Sequence, residues 1–213
     1  MKLACELRRT KIEPSVAYGF KTVTPANLSI ADLFAGAGGF SLGACRAGAD
    51  LRVSVELDDV NDKTHSRNFP GTLHLKQDIT KLTGTMLLSA IQQESLDGII
   101  GGPPCQGFSE MGRRKVGDPR NELFLHFFRI VSEVKPIFFI AENVRGILHT
   151  QNRPIIEGAL SKCPKRYEAL EPLELCADDF GAATSRRRVF LSATTPTEWM
   201  LHKSLICMSA GPK

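Results

Sequence analysis

Ser29-Ile-Ala-Asp-Leu-Phe34 followed by Ala35-Gly-Ala-Gly-Gly39 and then Phe40-Ser-Leu-Gly-Ala-Cys-Arg-Ala47 is the stretch that decides the fold. The first six residues form a short, mainly apolar run and predict a strand. The glycine cluster predicts a tight turn, and Phe40–Ala47 a helix. A strand that breaks into glycines and restarts as a helix opens a βα layer, and the same rhythm recurs downstream. Leu51–Glu56 alternates as a second strand, and Val60–Asn68 is a helix stopped by Pro70-Gly71. Leu73–Leu75 is a brief strand, Thr85–Gln93 a helix, and Leu96–Ile100 a strand ending at Gly101-Gly-Pro-Pro104. Glu122–Val134 carries apolar residues at 123, 124, 127, 128, 130, 131 and 134, one helical face. Ile137–Ala141 is wholly apolar, the pattern of a strand buried on both faces of a parallel sheet. Ile155–Ser161 reads as another helix and Val189–Ser192 as a late strand. Strands alternating with helices predict an open, doubly wound, Rossmann-like α/β sheet whose ligands bind at the C-terminal strand ends.

Around this unit, residues 1–28 read as an irregular arm, 29–193 as one domain, and 194–213 as a short tail. A chain of 213 residues suits one well-cored domain. Its composition is that of a globular protein, 42% hydrophobic and 23% charged. A net charge of +4 allows an anionic partner without requiring one. No run approaches the ~18 apolar residues of a membrane span. The opening Met1-Lys-Leu-Ala-Cys-Glu-Leu-Arg-Arg-Thr10 places charges where a signal peptide needs an apolar core. The six cysteines show no Cys-x-x-Cys spacing, which argues against a metal site and suits a reducing cytoplasm.

Unusual residues fall at the predicted strand ends. Phe34-Ala-Gly-Ala-Gly-Gly39, with Glu56 twenty residues past Gly36, suits a nucleoside ligand held by close backbone approach and a ribose-binding carboxylate. Ser41 replaces the last glycine of the dinucleotide fingerprint, so NAD, FAD and S-adenosylmethionine all remain open on this pattern. Asp78 suits either an adenine amino group or a helix N-cap ahead of Leu82. Cys105 follows two glycines and two prolines, a rigid turn that would hold a thiol in the cleft. A lone cysteine is usually a small buried hydrophobe, but this context favours a nucleophile. The basic run Arg113-Arg-Lys-Val-Gly-Asp-Pro-Arg120 beside it suggests a polyanionic substrate, although most charge runs are solvated faces. Glu142 ends an apolar strand, where desolvation would raise its pKa and let it donate a proton. Arg186 and Arg188 share one face if their segment is extended.

Taken in order, Asp32-Leu-Phe-Ala-Gly-Ala-Gly-Gly39, Gly102-Pro-Pro-Cys-Gln-Gly-Phe-Ser109, Arg120-Asn-Glu-Leu-Phe124, Glu142-Asn-Val144 and Arg186-Arg-Arg188 closely resemble the motifs of DNA (cytosine-5)-methyltransferases. The resemblance covers roughly residues 30–192 and implies S-adenosylmethionine as cofactor and double-stranded DNA as substrate. It implies Cys105 as the nucleophile that adds to cytosine C6, and Glu142 as the carboxyl donating to N3. Arg186 and Arg188 would orient the flipped base. Phe34 and Gly39, with Ala35, Gly36 and Gly38 of the same turn, match adenosine contacts. Glu56 with Leu57 matches the ribose and its surroundings, Asp78 with Ile79 the adenine edge, and Pro104 and Leu123 the pocket wall. Loop 106–121 matches a segment that closes on DNA, with Gln106, Ser109, Arg113, Arg114, Lys115 and Arg120 as expected contacts.

The chain departs from the family pattern at Thr184, where glutamine is usual, and at Leu57, where an aromatic residue often stands. Beyond Ser192 the family continues into a target-recognition domain and a closing segment, which Ala193–Lys213 does not match. A sheet incomplete at its C-terminal side is therefore expected. Three readings follow: a subunit of a split methyltransferase completed by a second polypeptide, a truncated inactive product, or a non-catalytic module keeping the fold. An RNA-modifying reading is the weakest, and restriction–modification is the family's usual setting.

Overall fold

The structure, a computed structural model, describes residues 27–104 and 119–195. Expectations for most of the N-terminal arm, Cys105, most of loop 106–121 and all but the first two residues of the tail lie outside these residues.

The first half alternates strictly: β1 (Ser29–Leu33), α1 (Gly39–Arg46), β2 (Asp50–Glu56), α2 (Asp59–Asn68), β3 (Leu73–Lys76), α3 (Gly84–Ala90) and β4 (Gly98–Gly101). The second half comprises α4 (Pro119–Val134), β5 (Phe138–Asn143), α5 (Arg153–Ser161), β6 (Glu168–Ala169), β7 (Leu173–Cys176) and β8 (Arg187–Thr194). The strands form one sheet in the order β3-β2-β1-β4-β5-β8, with β6 and β7 pairing successive stretches of β8's outer edge. The first five are parallel, whereas β8 runs antiparallel to β5. Strand order reverses between β1 and β4, and the crevice beyond their C-terminal ends is the natural ligand site of this architecture.

Alternation along the strands divides two cores. Ala31, Leu33, Ile99, Phe139, Ala141, Val189 and Leu191 point to the larger one, beneath α3, α4 and α5. The helix α4 fills it with Phe124, Phe127 and Phe128, each fully buried, and Phe128 meets Phe139 edge-on at 5.4 Å. Each such ring contributes about 1.5–3 kcal/mol by leaving water. The opposite face carries a smaller cluster of Ile30, Leu51, Ile100 and Phe138, covered by Phe40, Ala44 and Cys45 of α1.

Local chemistry sets the helix starts. Asp58 caps α2, its carboxylate accepting from the Val60 and Asn61 amides at 3.1 and 2.8 Å, and Asp59 and Asp62 in the first turn favour the helix dipole. Thr83 caps α3 through the Met86 amide. That corrects the idea of Asp78 as a helix cap ahead of Leu82: α3 starts only after Leu82 and its cap is Thr83. Asp78 Oδ1 instead accepts from the Thr80 amide and hydroxyl, closing a turn five residues before α3 begins at Thr83's cap. The boundary set at residue 194 also shifts, because Thr194 is the last residue of β8. The short strands β6 and β7 were not anticipated. Two and four residues long and interrupted by Pro172, they carry too little period to be read locally.

Candidate active site

At the end of β1 the chain turns through Phe34, Gly36 and Gly38, all at positive φ (61°, 56° and 99°). Glycine is required most plainly at Gly38, where an added Cβ would lie 2.4 Å from Cε2 of Phe69, the residue that caps the C-terminus of α2. Gly38→Ala is expected to cost about 2–5 kcal/mol, combining left-handed strain with overpacking, measured by urea unfolding. A loss under about 0.5 kcal/mol would show that the turn is not locked. At Gly36 and Gly39 nothing lies within 4 Å of an added Cβ, so the outer side of the turn is open.

Glu56, at the end of β2, ties the turn to the sheet. Its Oε2 accepts from the Gly36 amide and its Oε1 from the Leu57 and Asp58 amides, each at 2.8 Å. A carboxylate has about four acceptor positions, so three are engaged and one remains for a ligand hydroxyl. Leu57 beside it is an exposed apolar side chain, 61% accessible. Ala35 is buried, while Phe34 and Leu123 pack partly against the larger core. Farther along the rim, Asp78 is held as a carboxylate below its usual pKa, first by the Thr80 amide bond and then by its hydroxyl. Ile79 is buried, and its carbonyl accepts from Arg129 at 2.8 Å. Arg129 also binds the Leu82 carbonyl and pairs with Glu133, whose other oxygen accepts from the Gly84 amide. The helix α4 thereby fixes this rim, a role the sequence reading missed.

Across the switch point, β4 ends at Gly101 and β5 at Asn143. The Gly101 α-carbon faces the Leu33 carbonyl so closely that an added Cβ would lie 2.2 Å from that oxygen. Asn143, 2% exposed, donates from Nδ2 to the Pro103 carbonyl at 3.3 Å, and its Oδ1 accepts from the Val144 amide. This holds the Pro103-Pro104 turn against the end of β5. Glu142, its neighbour, points to the other face, with Oε2 3.3 Å from where a Cβ on Gly102 would be. Arg188 Nε lies 2.6 Å from Glu142 Oε1, and both side chains are about a quarter exposed (22% and 26%). Burial pushes the Glu142 carboxyl above its ordinary pKa, and Arg188 and then Arg186 pull it back.

Arg186 and Arg188 do share a face, lining a groove of about 200 Å³ with Phe190 and Phe180. Arg187 turns away to Glu174, 3.7 Å distant, which also pairs with Arg145 at 3.2 Å. Thr184 is exposed just before β8. Cys105, Gln106, Ser109, Arg113, Arg114 and Lys115 lie outside the described residues, as does the side chain of Arg120. What the structure brings together is the glycine turn with Glu56 on one side of the switch point. On the other side it joins the Glu142–Arg188 pair with the turn leading to Cys105.

The doubly wound α/β sheet with a glycine turn at its switch point is Rossmann-like, the architecture this chain shares with methyltransferases of known structure. The chain belongs to the family of C-5 cytosine-specific DNA methylases, whose family model matches residues 28–205. It is 38% identical over 164 residues to the type II methyltransferase M.XorII of Xanthomonas oryzae pv. oryzae, covering 75% of this chain and 39% of that protein. With M.AquIA of Picosynechococcus sp. it shares 38% identity over 170 residues, 75% of this chain and 68% of that one. A solved E. coli structure, assigned as a DNA modification methyltransferase encoded within a prophage, aligns with a TM-score of 0.73 and 42% identity, covering 80% of this chain and 47% of that one. The chain thus spans less than half the length of several relatives it matches. Among the described residues, no helix is long and apolar enough to cross a membrane.

Proposed function

We propose that this chain is the cofactor-binding and catalytic lobe of an enzyme that transfers a methyl group from S-adenosylmethionine to C5 of a flipped-out cytosine in double-stranded DNA. The observation that carries the reading is the Glu142–Arg188 pair beside the Asn143-held turn that leads directly into Cys105. The bound cofactor supplies an electrophilic methyl group. The open glycine turn, the remaining acceptor position of Glu56 and the apolar surface of Leu57 suit its adenosine half. Asp78 and the backbone at Ile79 would hold the adenine edge, and Pro104 and Leu123 would complete the wall.

The Cys105 thiolate adds to C6 of the extruded base, so that C5 acquires enamine character and attacks the methyl group. Glu142 donates to N3 and relieves the negative charge that develops there. Arg188 orients Glu142 and, with Arg186, faces the base. Loss of the C5 proton then expels the thiolate, leaving 5-methylcytosine and S-adenosylhomocysteine. Incubating the chain with tritiated S-adenosylmethionine and measuring retained cofactor tests the first half of this reading. Absence of specific retention would refute it.

We also propose that target recognition comes from sequence outside these 213 residues, on the same polypeptide or another. M.XorII and M.AquIA align over nearly equal lengths, yet the covered share rises from 39% to 68%, so M.AquIA is itself a much shorter protein. That supports a catalytic lobe existing as its own chain. Specific readout buries ~1,000–2,500 Å² and reaches base edges, whereas the strands and helices described here are spent on the sheet and its cover. Alone, the chain is expected to bind mixed-sequence duplex weakly and without preference. If Arg113, Arg114, Lys115 and Arg120 each neutralise one phosphate, affinity should fall about a hundredfold for a fourfold rise in salt. Fluorescence anisotropy at two salt concentrations checks this. Tight, salt-insensitive binding to a single motif would place the recognition surface within these residues.

A further inference from the structure

Asp32 on β1, Ser41 on α1 and His65 on α2 are 1%, 0% and 0% exposed, and the transfer chemistry uses none of them. The Ser41 hydroxyl donates to Asp32 Oδ2 at 2.5 Å, and its oxygen lies 2.9 Å from His65 Nε2. With its proton committed to Asp32, Ser41 accepts from His65, which fixes the Nε2–H tautomer. Asp32 Oδ1 and His65 Nδ1 are buried with no hydrogen-bond partner among the described residues. Polar groups buried at this density cost desolvation, which points to a task beyond packing.

The chain of groups meets the glycine turn at both ends. Ser41 stands two residues after Gly39, in the first turn of α1. The His65 ring lies 3.1 Å from where a Cβ on Gly38 would be and packs on Phe69 at 4.6 Å between centroids. Asn68, between them on α2, donates to the Ala37 carbonyl at 3.2 Å. We propose that Asp32, Ser41 and His65 form a proton-holding clamp that positions Gly36–Gly39 for the cofactor, with His65 as a positioning residue, and that cofactor affinity falls as this clamp takes up a proton. The inference rests on the cofactor reading given above.

The groups facing the clamp are Glu56 on β2, Asp62 on α2, His74 on β3 and Cys45 on α1. Burial pushes Asp32 up to about 7, the Ser41 bonds pull it down, and Glu56 pushes it up again. Burial and then His74 hold His65 below its ordinary value, against Asp62 and Glu56. Above neutrality the clamp therefore carries one negative charge, and both of its bonds run toward Asp32 with charge assistance. When Asp32 is protonated, its own hydroxyl competes to donate to Ser41. Ser41 must then donate to His65, which forces a buried Nδ1–H with no acceptor. The state that holds the turn is the charged one. If only that state binds, affinity scales with its population and is about tenfold weaker at pH 6 than at pH 8.

Two measurements on the full chain test this. Nitrogen-15 NMR of histidine-labelled protein without cofactor should show His65 as the Nε2–H tautomer at about pH 8. A change near neutrality should follow, and it should vanish in Asp32→Asn. Calorimetric titration with S-adenosylmethionine should show the roughly tenfold loss on acidification in wild type and a flat profile in Asp32→Asn. At pH 8, His65→Leu should weaken binding by about tenfold, and His65→Gln, which can still donate to Ser41, should restore it. A wild type whose affinity is flat with pH, or a His65→Leu chain that binds normally, would overturn the clamp and leave the cofactor reading intact. Absence of any binding with the His65 signature present would instead overturn the cofactor reading and the positioning role with it.

Discussion

Cys105→Ser is expected to abolish methyl transfer while leaving the fold and cofactor affinity unchanged. The thiol is the one nucleophile whose pKa gives a useful anion near neutrality; a serine hydroxyl needs an adjacent general base to add to cytosine C6. Among the described residues, those beside the turn leading to this position offer no free base: Glu142 is tied to Arg188, and Asn143, an amide, to the Pro103 carbonyl. Neither can relieve a hydroxyl of its proton without losing its own bond. The anchor residues 102–104 do not depend on the sulfur, so circular dichroism and thermal unfolding should match wild type. Tritiated cofactor and duplex DNA, with a target-recognition region supplied, give the assay. Incorporation by the serine variant near the wild-type rate would remove Cys105 from the mechanism. Duplex containing 5-fluorocytosine gives a second readout. Fluorine cannot leave as a cation, so the wild-type chain should be trapped covalently and the serine variant should not.

The fold was legible because its signals are local. Wholly apolar Ile137–Ala141 could only be a strand covered on both faces, and the glycine turn after Leu33 marked where a ligand approaches backbone. The antiparallel β8 and its companions β6 and β7 were less visible, since their pairing is decided by residues up to 56 positions away rather than by period. The candidate site shows the same division. Glu142, Arg186 and Arg188 stood out because a charge at the end of an apolar strand has few structural explanations. Asn143 and Arg129 did not, because each acts by binding a carbonyl distant in sequence, which no local pattern records. Asp32 was a missed signal of the local kind: an acid inside Ile30-Ala-Asp-Leu33 had to be either edge-exposed or paired, and the fold places it in an interior strand.

Glu142→Gln is expected to slow transfer by about 10²–10⁴-fold, the usual contribution of a positioned acid or base, with cofactor binding unchanged. Glutamine keeps the shape and can still donate a hydrogen bond to N3, but it cannot deliver a proton, so the loss isolates proton transfer from positioning. The cost to stability should be small, about 1 kcal/mol, because the pair with Arg188 is partly solvated and its removal leaves a guanidinium that water can reach. The pH dependence carries the sharper test. Burial raises the Glu142 pKa, and Arg188 is the largest influence opposing it. A group that must be protonated to act loses activity as pH rises through its folded pKa. Removing Arg188 lifts that pKa further, so in Arg188→Ala the alkaline limb of the rate profile, normalised to its own maximum, should move to higher pH. In Glu142→Gln the limb should disappear. Single-turnover rates across the pH range, with cofactor saturating, measure both shifts. A limb that stays in place in Arg188→Ala and persists in Glu142→Gln would assign it to another group and leave Glu142 a structural partner of β8.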